Sequence, residues 1–448
     1  MKTKEMKLRV AMIVFFSAMG GMLYGYDIGI INSAFLFITN DIPMSITQVS
    51  LLGGSVLFGG AFAILVGGVI ADLIGRKKTL SLAGLIFILS VGMIELSTTY
   101  ELLLLSRMVQ GIAVGFISVT VPIYLTETVP GSIRGFAVTC FQLFLTAGIL
   151  VANYVGLLFE GSENWRAMFS TALVPGVIFF LGSFFLLKSP RWLLMNDRED
   201  EAKSLLVATL GKTEATLEIE EVKKILLKST NNSIWSILTT KHYTTPLLIV
   251  FAIAILAQLT GINSILQFSA ILLRDAGLSS NYVSIVGGVV ITAINFLATL
   301  IAVFMADKVE RKFIVTICAA IVALSLLFTG SVLTFVPLGI TQGLLLLVGL
   351  IIFIFFFAIG PGAYVWVIMS ELLPTQIRSK GLAVALFLNS MMSAVLASVF
   401  LPISEYLGHG SMFYVCGVCT ILYSFIVYKY VPKTTGRSLE EIEQEFMR

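Results

Sequence analysis

Twelve apolar runs, each near twenty residues or longer, decide what this chain can fold into. They cover 9–38, 50–71, 79–97, 102–124, 136–159, 167–187, 246–272, 282–306, 313–335, 343–370, 381–403 and 412–431. About twenty helical residues cross the ~30 Å of hydrocarbon in a bilayer. Inside lipid every backbone N–H and C=O must be satisfied within the protein, so runs of this length become helices. Of the 448 residues 57% are hydrophobic and only 12% charged, roughly half the charge of an ordinary soluble domain, which excludes a water-soluble globule. The first run is too long for a signal-peptide core and lacks a small-residue cleavage site, so it is read as retained. An all-α membrane protein with twelve transmembrane helices is the expectation, with the lipid bilayer as its solvent.

Basic residues orient the spans, because Lys and Arg stay in cytoplasmic connections. Lys2, Lys4, Lys7 and Arg9 precede the first run, and nearly all the other basic residues fall on the same side; Arg107, Arg166 and Arg274 are the remainder, assigned to the outer side. Both termini are then cytoplasmic, in a multi-pass protein of the cell (inner or plasma) membrane. The basic excess reports topology and implies no nucleic-acid partner. Cys140, Cys318, Cys416 and Cys419 lie in apolar runs and His242 and His409 in loops at opposite ends, so no metal site is expected.

The runs divide six and six around one polar segment, giving an N-terminal half 1–187, a linker 188–245, a C-terminal half 246–431 and a cytosolic tail 432–448. Asp72-Leu-Ile-Gly-Arg76-Lys77-Lys78 after the second run echoes Asp307-Lys-Val-Glu-Arg311-Lys312 after the eighth, and Glu127-x-x-Pro130-x-x-x-Arg134 echoes Glu371-x-x-Pro374-x-x-x-Arg378. Two parallel six-helix halves with a midplane site between them resemble the major facilitator fold. In the linker, Asp197 to Leu210 and Glu214 to Leu227 carry apolar residues at helical spacing, split by Gly211, and read as short cytosolic helices. Gly211-Lys-Thr213 lacks the Gly that a phosphate loop needs five positions earlier, and the Asn231-Asn-Ser233 sequon falls on the cytoplasmic side.

Within 10–38 the only charged residue is Asp27, set among Gly20, Gly21, Gly25 and Gly29. A charge at bilayer centre costs about 2.5–3.5 kcal/mol on insertion scales, so one that persists marks a partner or a polar path. The alternative is an Asp tied to backbone opened by the glycines.

Across nearly the whole chain the motifs resemble those of the sugar porter family of the major facilitator superfamily. They are Gly25-Tyr-Asp27, Asp72…Gly75-Arg76-Lys77, Arg107…Gln110-Gly111…Gly115, Pro122-Ile-Tyr124…Glu127…Pro130…Arg134-Gly135, Gln142, Trp165-Arg166, Ser189-Pro-Arg-Trp-Leu193, Gln258-Leu-Thr-Gly261-Ile-Asn263, Gly360-Pro-Gly362…Trp366…Glu371 and Val431-Pro432…Gly436-Arg437. The resemblance implies a secondary transporter that takes up a monosaccharide or cyclic polyol with protons by alternating access. It is not an enzyme, and it uses no cofactor beyond the coupling proton. Asp27 and Arg134 match the proton-coupling pair. Gln142, Gln258, Asn263, Asn295, Trp366 and Asn389 match substrate-binding positions, with Tyr24 beside them. Asp72, Arg76, Glu127, Arg134, Glu371 and Arg378 match residues that latch the inner gate. Ala257, Gln267-Phe268, Ser390, Glu310 and Lys433 depart from the family pattern, so glucose-like specificity is not assumed. An uncoupled sugar uniporter is the alternative, with a transporter-like sugar sensor behind it; a monomer is the default oligomeric state.

Overall fold

Each apolar run closes its own backbone hydrogen bonds, and polar residues at its ends extend the helix past the hydrocarbon. In the computed structural model, residues 2–130, 133–210, 215–216, 219–220, 241–278, 280–305, 309–374, 377–434 and 441 are described. The first half contains α1 (Lys2–Asp41), α2 (Ile46–Ile74), α3 (Arg76–Glu95), α4 (Tyr100–Thr128), α5 (Arg134–Leu158), α6 (Trp165–Ser170) and α7 (Leu173–Phe185). Two short helices follow, α8 (Pro190–Met195) and α9 (Glu199–Leu210). The second half contains α10 (Lys241–Leu259), α11 (Ile262–Asp275), α12 (Asn281–Met305), α13 (Arg311–Phe335), α14 (Ile340–Ile359), α15 (Pro361–Leu372), α16 (Arg378–Leu407) and α17 (Ser411–Tyr430). Among the described residues 12 spans are long and apolar enough to cross a membrane; α6 with α7, α10 with α11 and α14 with α15 each share one.

The duplication read in the sequence is visible in the packing. In the first half α1 packs on α5, α2 on α4, and α3 on α4 and α7; in the second α10 packs on α16, α12 on α14, and α13 on α14 and α17. The halves meet through α2 against α16, α5 against α12 and α1 against α11.

Glycines set the closest of these approaches. A Cβ added at Gly21, Gly25 or Gly29 would lie 2.2, 1.8 or 2.6 Å from the carbonyl oxygens of Phe141, Leu145 and Ile149 on α5. Spaced every fourth residue, they let two backbones touch where no larger side chain fits. The glycines around Asp27 therefore dock α1 on α5, and the helix runs unbroken through them.

The end of the bundle where α1 begins is here called the near end, the opposite one the far end. At the far end the halves are sealed together. Asn32 Oδ1 accepts from Ala270 N at 2.9 Å and from Ser269 Oγ at 3.2 Å, and Ser50 Oγ donates to Ala397 O at 2.5 Å. Phe35 stacks on Phe268 with centroids 5.5 Å apart, and Phe268 continues through Phe400 to Phe413 at 6.1 and 5.8 Å.

The expected linker helix over Asp197 to Leu210 is α9, which packs with α8 around Leu193, Leu194, Ala202 and Leu206. Hydrogen bonding from Arg198, with Lys188 adding to it, holds the Glu201 carboxyl below its usual range. Gly211, most of 214–227, Asn231-Asn-Ser233, Asp307, Lys308 and most of the tail lie outside the described residues.

Candidate functional site

Asp27 sits midway along α1, 2% exposed, and its carboxylate is paired with the Arg107 guanidinium of α4, itself 1% exposed. Arg107 is about 10 Å into α4 at 1.5 Å per residue from Tyr100. Its Nη1 also donates to Gln110 Oε1 at 2.7 Å, and its guanidinium carbon lies 5.4 Å from the centre of the Phe169 ring on α6.

Two expectations are corrected here. Arg107, expected on the outer side, lies buried inside the fourth span about 10 Å from its far end; counting basic residues by loop does not see one that a buried carboxylate holds within a helix. The partner of Asp27 is Arg107 and not Arg134. Arg134 opens α5, while α1 meets that helix at Leu145 and Ile149, so Arg134 lies about 20 Å below Asp27 along the axis.

A second cluster forms where the seventh span breaks. Gly261, at φ 85°, ends α10 and starts α11, a backbone conformation that an L side chain resists. The break brings Gln258 and Asn263 side by side, Asn263 Nδ2 donating to Gln258 Oε1 at 3.1 Å. Across from them on α16, Asn389 accepts from Gln258 Nε2 at 3.1 Å and donates to Ala254 O at 2.9 Å, while Ser393 Oγ accepts from Asn263 Nδ2 at 2.8 Å. Three expected residues thus form one network. Ser393 was missed; its place one turn beyond Asn389 is the only signal the sequence holds.

Gln142 is half-buried on α5, Tyr24 half-buried on α1, Trp366 half-buried on α15 and Asn295 buried on α12. Their side chains make no hydrogen bond among the described residues, and the network does not include them. Gln142 and Asn295 nevertheless stand on α5 and α12, which face each other across the two halves.

The third cluster is at the near end. Arg76 donates to both oxygens of Glu127 at 2.8 and 3.0 Å and pairs with Asp72 at 2.7 Å. Ser189 caps α8 by accepting from Trp192 N, and its hydroxyl donates to Glu127 at 2.5 Å. The Trp192 indole donates to Asp72 O at 2.8 Å and lies against Gly75, where an added Cβ would fall 3.1 Å from the ring and the φ of 92° disfavours any L side chain. Two motifs of the first half and one of the linker therefore meet at one point. In the second half Arg311 pairs with Glu371 at 2.5 Å, Glu310 accepts from Thr434 N at 3.2 Å and Arg378 donates to Leu373 O at 3.2 Å. The Arg76 and Arg311 pairs each lie within one half.

The family model described as sugar (and other) transporter matches residues 13–446. The glucose transporter GlcP of Staphylococcus epidermidis is 35% identical over 442 residues, with 98% of both chains covered. The galactose-proton symporter of Escherichia coli K12 is 29% identical, over 97% of this chain and 94% of its own. Among solved structures, the inward-open conformation of the E. coli xylose transporter XylE aligns with a TM-score of 0.82 at 24% identity, over 97% of this chain and 99% of that one; this likeness shows the fold.

Proposed function

This chain belongs to the sugar (and other) transporter family, and we propose on that premise that it imports a monosaccharide or cyclic polyol together with protons, by alternating access across the plasma membrane. The buried pair of Asp27 and Arg107 carries this reading. An uncoupled carrier gains nothing from two charges at this depth, where each costs several kcal/mol to desolvate. A coupled one needs a carboxylate whose charge can be switched.

The near end is cytoplasmic by its basic residues. The structure, sealed at the far end, then corresponds to an inward-facing state in which Asp27 has given up its proton and Arg107 has taken its place. In the opposite state Asp27 loads a proton from outside and releases Arg107. The basic half of the coupling pair is accordingly Arg107.

The substrate site is assigned to Gln258, Asn263 and Asn389 with Gln142, Asn295 and Trp366, and Tyr24 next to the proton site. Amides hydrogen-bond hydroxyls and an indole covers the apolar face of a ring. Glu127 with Arg76, and Glu371 with Arg311, are read as halves of a latch that engages across the near end when the far end opens, the linked pairs acting together. Uptake of a panel of radiolabelled sugars and inositols into proteoliposomes, with and without a pH gradient, tests the reading. Uptake that only equilibrates the substrate, whether or not a gradient is imposed, would replace it with the uniporter.

A further inference from the structure

Arg107 poses a problem that the coupling pair does not solve. Once Asp27 is protonated, a guanidinium that is 1% exposed has lost its counter-ion. The charged and titratable groups near it are few. On α1 they are Asp27 itself with Tyr24 and Tyr26, the latter bonded to Thr171. α5 meets α1 here through Leu145, Gly148 and Ile149, α7 presents Phe179 against Gly20, and α6 presents Phe169. α2 and α3 also pack on α4; their carboxylates are Asp72 at the near end and Glu95 at the far end, where it accepts from Ser170 at 2.5 Å. Among the described residues Asp27 is the only carboxylate in ion-pair contact with Arg107.

What does reach Arg107 is Gln110, one turn further along α4. Its Oε1 takes the second proton of Nη1 at 2.7 Å, on the same nitrogen that pairs with Asp27. Gln110 is 1% exposed, and its Nε2, like Nε of Arg107, has no acceptor among the described residues. A residue there for packing alone would be apolar, since an unmet buried N–H costs about 1–3 kcal/mol.

We propose that Gln110 is a positioning residue of the proton site, the neutral partner that keeps Arg107 in place while Asp27 carries the proton, with the Phe169 ring as a second support. In the unloaded state the carboxylate already balances Arg107 and the amide adds little. In the loaded state the amide oxygen and the ring face are what remain to meet the charge. Gln110 therefore favours loading, and it sets the pH at which the carrier couples. The inference rests on Asp27 being the coupling acid.

The test is the midpoint pH of gradient-driven uptake in proteoliposomes, each variant scaled to its own maximum and checked for monodispersity on gel filtration. Gln110→Leu removes the amide oxygen, making the loaded state harder to reach, so the midpoint moves to lower pH by about one unit, a tenfold loss in proton affinity or about 1.4 kcal/mol. Gln110→Glu supplies a carboxylate that holds Arg107 and repels a charged Asp27, so the midpoint moves to higher pH. Phe169→Leu gives a smaller shift in the same direction as Gln110→Leu. A purely structural role would displace both Gln110 variants the same way. Wild-type midpoints, or shifts of one sign, in a wild type that couples overturn the role of Gln110 alone. A wild type whose uptake ignores pH overturns the coupling reading and this inference with it.

Discussion

Replacing Asp27 with Asn has two consequences that the structure allows to be separated. The first is energetic. Asp27 is the ion-pair partner of a guanidinium with 1% exposure, and removing one member of a buried pair costs about 3–5 kcal/mol because the other charge stays behind. The hydrogen bond to Gln110 remains and places the expected loss toward the lower figure. The second consequence is functional, since an amide does not titrate in this range. One charge moving through 100 mV supplies about 2.3 kcal/mol, enough at about 1.4 kcal/mol per tenfold to hold a neutral sugar at roughly fortyfold excess. Asp27→Asn should lose that accumulation while still exchanging sugar. Asp27→Asn with Arg107→Met removes both charges and should recover most of the stability, because replacing a buried pair by apolar groups of similar size is often neutral or better. It should not recover accumulation. Heating followed by size-exclusion measures stability, and radiolabel uptake under an imposed inside-negative potential measures coupling. A double variant that still concentrates substrate, or an Asp27→Asn protein as stable as the wild type, would refute the argument.

Three further outcomes follow from other contacts. Gln258→Ala or Asn263→Ala breaks the amide network and should raise the substrate dissociation constant roughly five- to 150-fold, from about 1–3 kcal/mol per lost hydrogen bond, in isothermal titration; wild-type affinity in both removes them from the site. Asn32→Ala deletes the bonds to Ser269 and Ala270 and should shift the population toward a far-open state by a similar factor, seen as a longer distance between spin labels at Thr47 and Leu407; an unchanged distance distribution counts against the seal. Gly25→Ala places a methyl group 1.8 Å from Leu145 O, so α1 and α5 must separate and the yield of folded protein should fall sharply; wild-type yield and melting would show that the two helices have slack.

Much of this architecture is legible in residue order because lipid leaves few alternatives: a twenty-residue apolar run has one way to satisfy its backbone. The repeated Asp-x-x-x-Arg and Glu-x-x-Pro-x-x-x-Arg segments are legible for a related reason, since duplicated halves repeat their ends. Partnership between helices is less legible. Arg107 stands in a span that hydropathy identifies, but only the approach of α1 to α4 shows that it belongs to Asp27 rather than to a loop. Arg134 looked right by type and wrong by depth, a distinction that needs the register of α1 on α5. Gln258 and Asn263 are five apart and readable as neighbours across a glycine break, whereas Ser393 joins them from 130 residues away, a distance no local pattern encodes. The meeting of Ser189, Trp192, Asp72 and Glu127 is of the same kind: each motif is clear alone, and their junction is a tertiary fact.

The aromatic row at the far end also gives the carrier a thermal character. Of Phe35, Phe268, Phe400 and Phe413, only Phe35 belongs to the first half, so opening the far end parts Phe35 from Phe268 and leaves the other three rings standing on the second half. That step wets aromatic carbon, which raises heat capacity. An equilibrium governed by such a step bends with temperature: the apolar seal weakens on cooling, and the resting population drifts toward the far-open side. The Arrhenius plot of uptake should therefore be curved rather than straight, with the curvature set by the ring area that Phe35 and Phe268 cover in each other.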